Sequence, residues 1–182
     1  SKPGEEKKQL LEERMGRPKN SIVNHKTIDL FDVIVTNPPF GSKIPINDQQ
    51  ILEQFDLAHS WVKDQHGNWL MNTTKLRGSV PPEQIFIERI VQLLRPGGRA
   101  AIVLPDSIFS SPGLEFIRVW LMRHTHIIAS IDLHADTFQP HNGTQCSILF
   151  VVKKTTEELQ EEQNLGFLLV IFFLPFVQHT TG

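Results

Sequence analysis

Residues Phe31 to Thr36, FDVIVT, are β-branched and nearly continuously apolar, and they run straight into Asn37-Pro38-Pro39-Phe40. Such a run reads as a strand covered on both faces, the pattern of a parallel sheet. Proline lacks an amide hydrogen and fixes φ, so Pro38-Pro39 must end the strand at once. The same two prolines remove two donors and leave carbonyls pointing outward, while Asn37 adds an oxygen acceptor and Phe40 a flat apolar face. A turn built this way can grip a planar amino group. An amine conjugated to a heterocycle is a poor nucleophile because its lone pair is delocalised, and two acceptors around its hydrogens favour a more tetrahedral nitrogen. Stacking on Phe40 would hold the ring meanwhile.

The rest of the chain alternates. Asp48 can cap a helix carrying Ile51, Leu52, Phe55 and Leu57, and a polar stretch with Gly67, Asn68, Gly78 and Ser79 then reads as a long excursion. Pro82 opens a stronger helix whose stripe is Ile85, Phe86, Ile90, Val91 and Leu94, stopping at Pro96-Gly97-Gly98. Either glycine there can take the left-handed conformation that ends a helix. Arg99 to Leu104 is the next strand, residues 113 to 123 another helix, and Ile127 to Leu133 and Ser147 to Val152 two strands with no helix between them. Adjacent strands without a crossover pair antiparallel, so the fold class is α/β with an antiparallel last pair. In open α/β sheets the ligand sits beyond the carboxyl ends of the strands, which selects Asn37 to Phe40, Pro105-Asp106 and the loop at 134 to 145.

Flanking segments carry less chemistry. Residues 1–27 read as a charged helix, with Glu5, Glu6, Lys7, Lys8, Glu12 and Glu13 around Leu10, Leu11 and Met15, followed by a linker. Residues 155–182 read as an acidic solvated helix or linker, then an apolar strand, Leu165 to Val177, interrupted by Gly166 and Pro175. That run is short of the roughly 20 residues that span a bilayer, so no membrane partner is expected. Lys plus Arg number 18 against 20 Asp plus Glu, so no strong basic field draws the chain to nucleic acid and any DNA contact must be local or supplied by a partner. The single cysteine, Cys146, excludes an intramolecular disulfide and points to a reducing, cytoplasmic setting. The eight histidines show no metal spacing, and no metal is expected.

The NPPF motif belongs to S-adenosylmethionine-dependent amino-methyltransferases, and its surroundings resemble the adenine-N6 DNA methyltransferase (modification) subunit of type I restriction systems. The resemblance rests on FDVIVTNPPFG, then FIERIVQLLRPGGRAAIVLPDSIF (Phe86 to Phe109), IRVWLMRHTHIIASIDL (Ile117 to Leu133) and TFQPHNGTQCSILFVVKK (Thr137 to Lys154), in that order. It implies a Rossmann-like class I methyltransferase fold, S-adenosylmethionine as cofactor, a flipped DNA adenine as substrate, and a separate specificity subunit that reads the sequence. It also implies roles: Asn37 and the Pro38 carbonyl orient the amine, with Asn37 bordering the cofactor; Pro39 stiffens the turn; Phe40 stacks on the base. Phe138 is expected on the other face of the base and Lys43 near a backbone phosphate. Asp106 caps a turn or touches a ligand, and Asp32 is structural.

Methyltransferases of this class resemble one another in a glycine-rich loop after the first strand and an acidic residue after the second. No G-x-G pattern precedes Asn37. The expectation is therefore the second half of the sheet, strands four to seven, with residues 28–154 forming the target-base half of the catalytic domain; the chain is then an excised fragment, a truncated gene product, or one part of a split enzyme completed by another chain. An exposed sheet edge is expected where the missing half belongs. Two alternatives remain: an NPP-bearing methyltransferase acting on ribosomal RNA guanine N2 or a protein glutamine, and a non-catalytic interaction module. The VLPD segment and the spacing from Phe138 to Phe150 favour the DNA group.

Overall fold

The computed structural model describes residues 28–40, 45–134, 136–138 and 144–164. The expected amino-terminal helix, the apolar strand at 165–177 and Lys43 lie outside the described residues. Four strands make the main sheet: β1 (Phe31–Thr36), β4 (Leu94–Pro105), β5 (Thr125–Asp132) and β6 (Cys146–Lys153). Their spatial order is β1-β4-β6-β5. β1 runs parallel to β4, and β6 is antiparallel to both β4 and β5. The antiparallel last pair is therefore as expected, with β6 inserted between β4 and β5.

Two helices cover one face of this sheet: α2 (Pro82–Leu93) and α4 (Glu115–His124). Ile87, Ile90, Val91, Ile117, Trp120 and Leu121 from the helices pack with Ala100, Ile102, Leu104, Leu149 and Val151 from the strands. Each fully buried aliphatic side chain of this kind contributes about 1.5–3 kcal/mol. Phe86, expected in the stripe of α2, is exposed, and Ile87 takes its place in the core. Glu88, on the same face, is 1% exposed. Its carboxylate accepts from the backbone N–H groups of Asp56 at 2.9 Å and Leu57 at 2.8 Å, which start a 3-10 turn (Asp56–Ala58). A buried charge survives there because its acceptor oxygens are occupied.

Three expectations are corrected. The helix capped by Asp48 is one turn, α1 (Gln49–Leu52), with the Asp48 carboxylate accepting from Gln50 and Ile51. The polar excursion is a hairpin, β2 (His59–Lys63) against β3 (Trp69–Leu76), turned at Gly67 with φ +83. It docks on α4 through rings: Trp61 stacks on Phe116 at 5.8 Å, Trp69 lies 6.1 Å from the same ring, and the guanidiniums of Arg77 and Arg123 cover Phe116 and Trp61. Finally, β1 is not covered on both faces. Ile34 packs on the core, but Phe31, Val33 and Val35, on the opposite face, are 48%, 62% and 78% exposed. Among the described residues, β1 is an edge strand with an uncovered apolar face.

The segment expected to stop α2 instead starts β4. Phe31 pairs with Leu94 and Val33 with Arg99, so the chain between Leu94 and Arg99 bulges while β1 advances by two residues. Gly97 makes the bend at φ +75. Gly98 lets the strands approach, since a Cβ there would sit 2.8 Å from the Arg95 carbonyl oxygen and 3.1 Å from that of Phe31. Asp32 pairs with Arg95 across this bulge, in line with its structural assignment. Because backbone atoms cannot yield as side chains do, Gly98→Ala should cost about 1–3 kcal/mol. Urea unfolding of the variant checks this, with a midpoint like that of the parent chain as the contrary result.

Candidate functional site

The strand directions decide what meets at the carboxyl edge of the sheet. β1, β4 and β5 all end there, and β6 begins there. The edge therefore gathers the NPPF turn after Thr36, Asp106 after β4, the connection after Asp132, and Ser147 at the start of β6. Asn37 and Pro39 are exposed, Pro38 is buried and Phe40 is half-buried. The turn is thus seated through Pro38, leaving the Asn37 side chain open to solvent.

Phe138 lies in the connection between β5 and β6, nearly a hundred positions from Phe40. The two rings nonetheless meet, with centroids 6.4 Å apart and planes at 76°, an edge-to-face contact. A planar ring held between two others needs about 7 Å between near-parallel planes, two van der Waals separations. Phe40 and Phe138 are placed at the right span but turned onto each other, so one ring must rotate to admit a third.

Behind the rings lies a polar knot. The Ser147 hydroxyl is 2.7 Å from Asp106 Oδ1 and 3.0 Å from Asp132 Oδ1. Asp106 occupies the N-cap position of α3 (Ser107–Ser110), yet its side chain makes no capping hydrogen bond. Of the two roles expected for Asp106, the cap belongs to its carbonyl, which accepts from the N–H groups of Phe109 and Ser110, while the carboxylate turns to Ser147. The sequence pattern assigns no site role to Asp132 or Ser147. Both look like ordinary strand residues, and only the cross-strand pairing of Asp132 with Ser147 brings them together. Asp136 adds a further carboxylate nearby in sequence, 3.5 Å from His134 Nδ1.

Next to Ser147, Cys146 is buried, its Sγ donating to the Thr144 carbonyl at 3.3 Å. Burial pushes this thiol above its ordinary value, and the Asp106 charge adds to the effect. Among the described residues no group of three or more His, Cys, Asp and Glu side chains is placed to hold a metal ion. No helix among them is long and apolar enough to cross a membrane.

Comparison with known proteins gives the arrangement a context. The sequence pattern of the family N-6 DNA Methylase matches residues 8–168. The methylase subunit of the type I restriction enzyme StySPI from Salmonella potsdam is 27% identical over 134 residues, covering 73% of this chain and 21% of its own length. The EcoKI methylase subunit from Escherichia coli K12 is 26% identical over 133 residues, with 72% and 21% covered. This chain thus spans about a fifth of the length of the curated relatives it matches. A crystal structure from Listeria monocytogenes, assigned as a class I S-adenosylmethionine-dependent methyltransferase, superposes with a TM-score of 0.55 at 21% identity. It covers 71% of this chain and 34% of that one, a likeness of fold.

The donor set says which part of a methyl-transfer site these residues suit. Acceptor oxygens and facing rings fit a planar amine. S-adenosylmethionine carries a carboxylate and a ribose that call for a loop of free backbone donors and a hydroxyl-binding acid, and no G-x-G pattern stands before Asn37 in this sequence. The described residues therefore fit the amine and do not by themselves fit the cofactor.

The raised thiol carries a signed prediction. The folded chain holds the Cys146 proton more tightly than the unfolded chain, so the resulting stability is complete below the unfolded value near 8.5 and is lost as pH climbs above it. At pH 8, Cys146 should react with an aromatic disulfide reagent at least about tenfold more slowly in the native chain than in urea. Equal rates would contradict the burial.

Proposed function

Because the chain belongs to the N-6 DNA Methylase family, we propose that it forms the target-base half of an adenine-specific DNA methyltransferase of a type I restriction–modification system. The observation that supports this reading most is the meeting of Phe40 and Phe138 at 6.4 Å beside the NPPF turn. Residues 28–154 hold and orient the substrate base. Asn37 Oδ1 and the Pro38 carbonyl accept hydrogens from the adenine N6 amine and draw its lone pair out of conjugation. Pro39 keeps the turn stiff, and Phe40 and Phe138 stack on the two faces of the extruded base. Lys43 meets the DNA backbone.

S-adenosylmethionine, when bound, supplies a methyl group already activated on sulfur, so positioning provides most of the rate and no covalent enzyme intermediate is needed. The cofactor is held mainly by an amino-terminal half, which adds its strands to the free edge of β1 and covers Phe31, Val33 and Val35. Asn37 borders it. A separate specificity subunit reads the DNA sequence, which accords with a chain whose charges nearly cancel.

The test is methyl transfer by this chain combined with an amino-terminal half, joined to it or supplied as a second chain, and offered an adenine-bearing DNA duplex, ribosomal RNA or a glutamine-bearing peptide. DNA should be the substrate, with N6-methyladenine as the product by mass spectrometry. Asn37→Ala should lower kcat by about 10²–10³, the scale of losing one preorganised polar contact to the reacting group. Preferred methylation of RNA or peptide would overturn the reading, as would full activity in Asn37→Ala.

A further inference from the structure

Ser147 has one hydroxyl proton, and two carboxylates stand within hydrogen-bond distance of its oxygen. One hydroxyl proton therefore lies between Asp106 and Asp132. The oxygen that carries it is buried, Ser147 being 2% exposed. A buried hydroxyl bonded to an ionised acceptor is among the stronger neutral-to-charged contacts in a protein. Its placement matters more than its strength. Asp132 is the last residue of β5 and Ser147 the second of β6, so this pair forms the base of the connection that carries Phe138. Asp106 follows β4, the strand that pairs with β1, and β1 leads into the NPPF turn.

These contacts form a closed circuit. It runs from Phe40 through the NPPF turn to β1, across the parallel ladder to β4 and Asp106, through the Ser147 hydroxyl to Asp132, and along the connection to Phe138. The Phe138 ring then returns to Phe40. The backbone already anchors the ends of the connection, with Leu133 N–H donating to the Cys146 carbonyl and Asp106 N–H to the Gln145 carbonyl. Among the described residues the Ser147 hydroxyl is the side-chain group that joins all three strand ends, and its removal would take one donor from both Asp106 and Asp132.

We propose that Ser147 is a positioning residue: through Asp106 and Asp132 it holds the β5–β6 connection so that Phe138 stands opposite Phe40. Ser147 touches neither ring and acts through the two carboxylates. The consequence for base capture rests on the function proposed above, whereas the placement of Phe138 does not.

The experiment separates the two. Cross-relaxation between the Phe40 and Phe138 rings is measured by NMR in the 182-residue chain, with contacts between Leu104 and Leu149 as a control for folding. The ring contact should be present in the parent chain and lost in Ser147→Ala while the core contacts persist, and Ser147→Thr should retain it. If Ser147→Ala does not fold, Asp132→Ala, at an exposed position, carries the test and should weaken the same contact. An unaltered ring contact in the folded Ser147→Ala chain, or in Asp132→Ala where that variant carries the test, overturns the proposal. Fluorescence of 2-aminopurine at the target position of a DNA duplex then reads base capture by this chain combined with the amino-terminal half, and Ser147→Ala should weaken it about tenfold. Loss of the ring contact with undiminished capture supports the positioning role and counts against the base-binding reading instead.

Discussion

β6 runs antiparallel between two strands that are parallel to each other, and the arrangement of the edge depends on that reversal. A parallel strand in its place would begin at the far end of the sheet, and the preceding connection would cross over to it. Antiparallel, it forces the link from β5 to turn back at the carboxyl edge, where β1 releases the NPPF turn. Phe138 is thereby delivered to Phe40 by topology, before any side-chain contact acts. The reversal also places Ser147 between the ends of β4 and β5, where one hydroxyl can reach both carboxylates.

The other faces of the molecule serve this edge by holding the strands still. Glu88 fastens the 3-10 turn to α2, and the hairpin is clamped on α4 by rings and guanidiniums, so the insertion after the NPPF turn is fixed to the helices. At the opposite end, Lys153 reaches Asp29 Oδ1 and the Leu94 carbonyl, tying the entry of β1 to the exit of β6. Lys154 does the same for α4 and α5 (Thr156–Asn164), through the Met122 carbonyl and Glu162. What this packing leaves bare is β1. Among the described residues this apolar strand, FDVIVT, is exposed on one face and unpaired along one edge.

Much of this was legible in the sequence because it is local. Pro38-Pro39 must stop a strand, Pro82 must open a helix, and the absence of a helix between Ile131 and Ser147 implies an antiparallel pair. The misreadings came where tertiary contacts override local pattern. HSWVK and WLMNTTKL have too few apolar residues to read as strands, and they become strands because Trp61 and Trp69 find Phe116. Phe86 and Ile87 are both apolar neighbours on the helix, and only packing against the sheet shows that Ile87 is buried while Phe86 is exposed. Ser147 is legible only as a strand residue within a resembling stretch, since its partners lie 41 and 15 positions away and a serine in a strand is unremarkable by itself. Phe138 was named through the family resemblance, and its ring contact with Phe40 could be found only in three dimensions.

The central claim is that this chain carries the amine-holding side of a methyl-transfer site and depends on strands outside it for the cofactor. Calorimetric titration of S-adenosylmethionine into the folded 182-residue chain tests that most directly, with its demethylated product as a second ligand. The account predicts no saturable heat from either ligand in a chain whose circular dichroism shows it folded. Saturable binding in the micromolar range would contradict it, because the residues around Asn37 would then hold the cofactor without a second half.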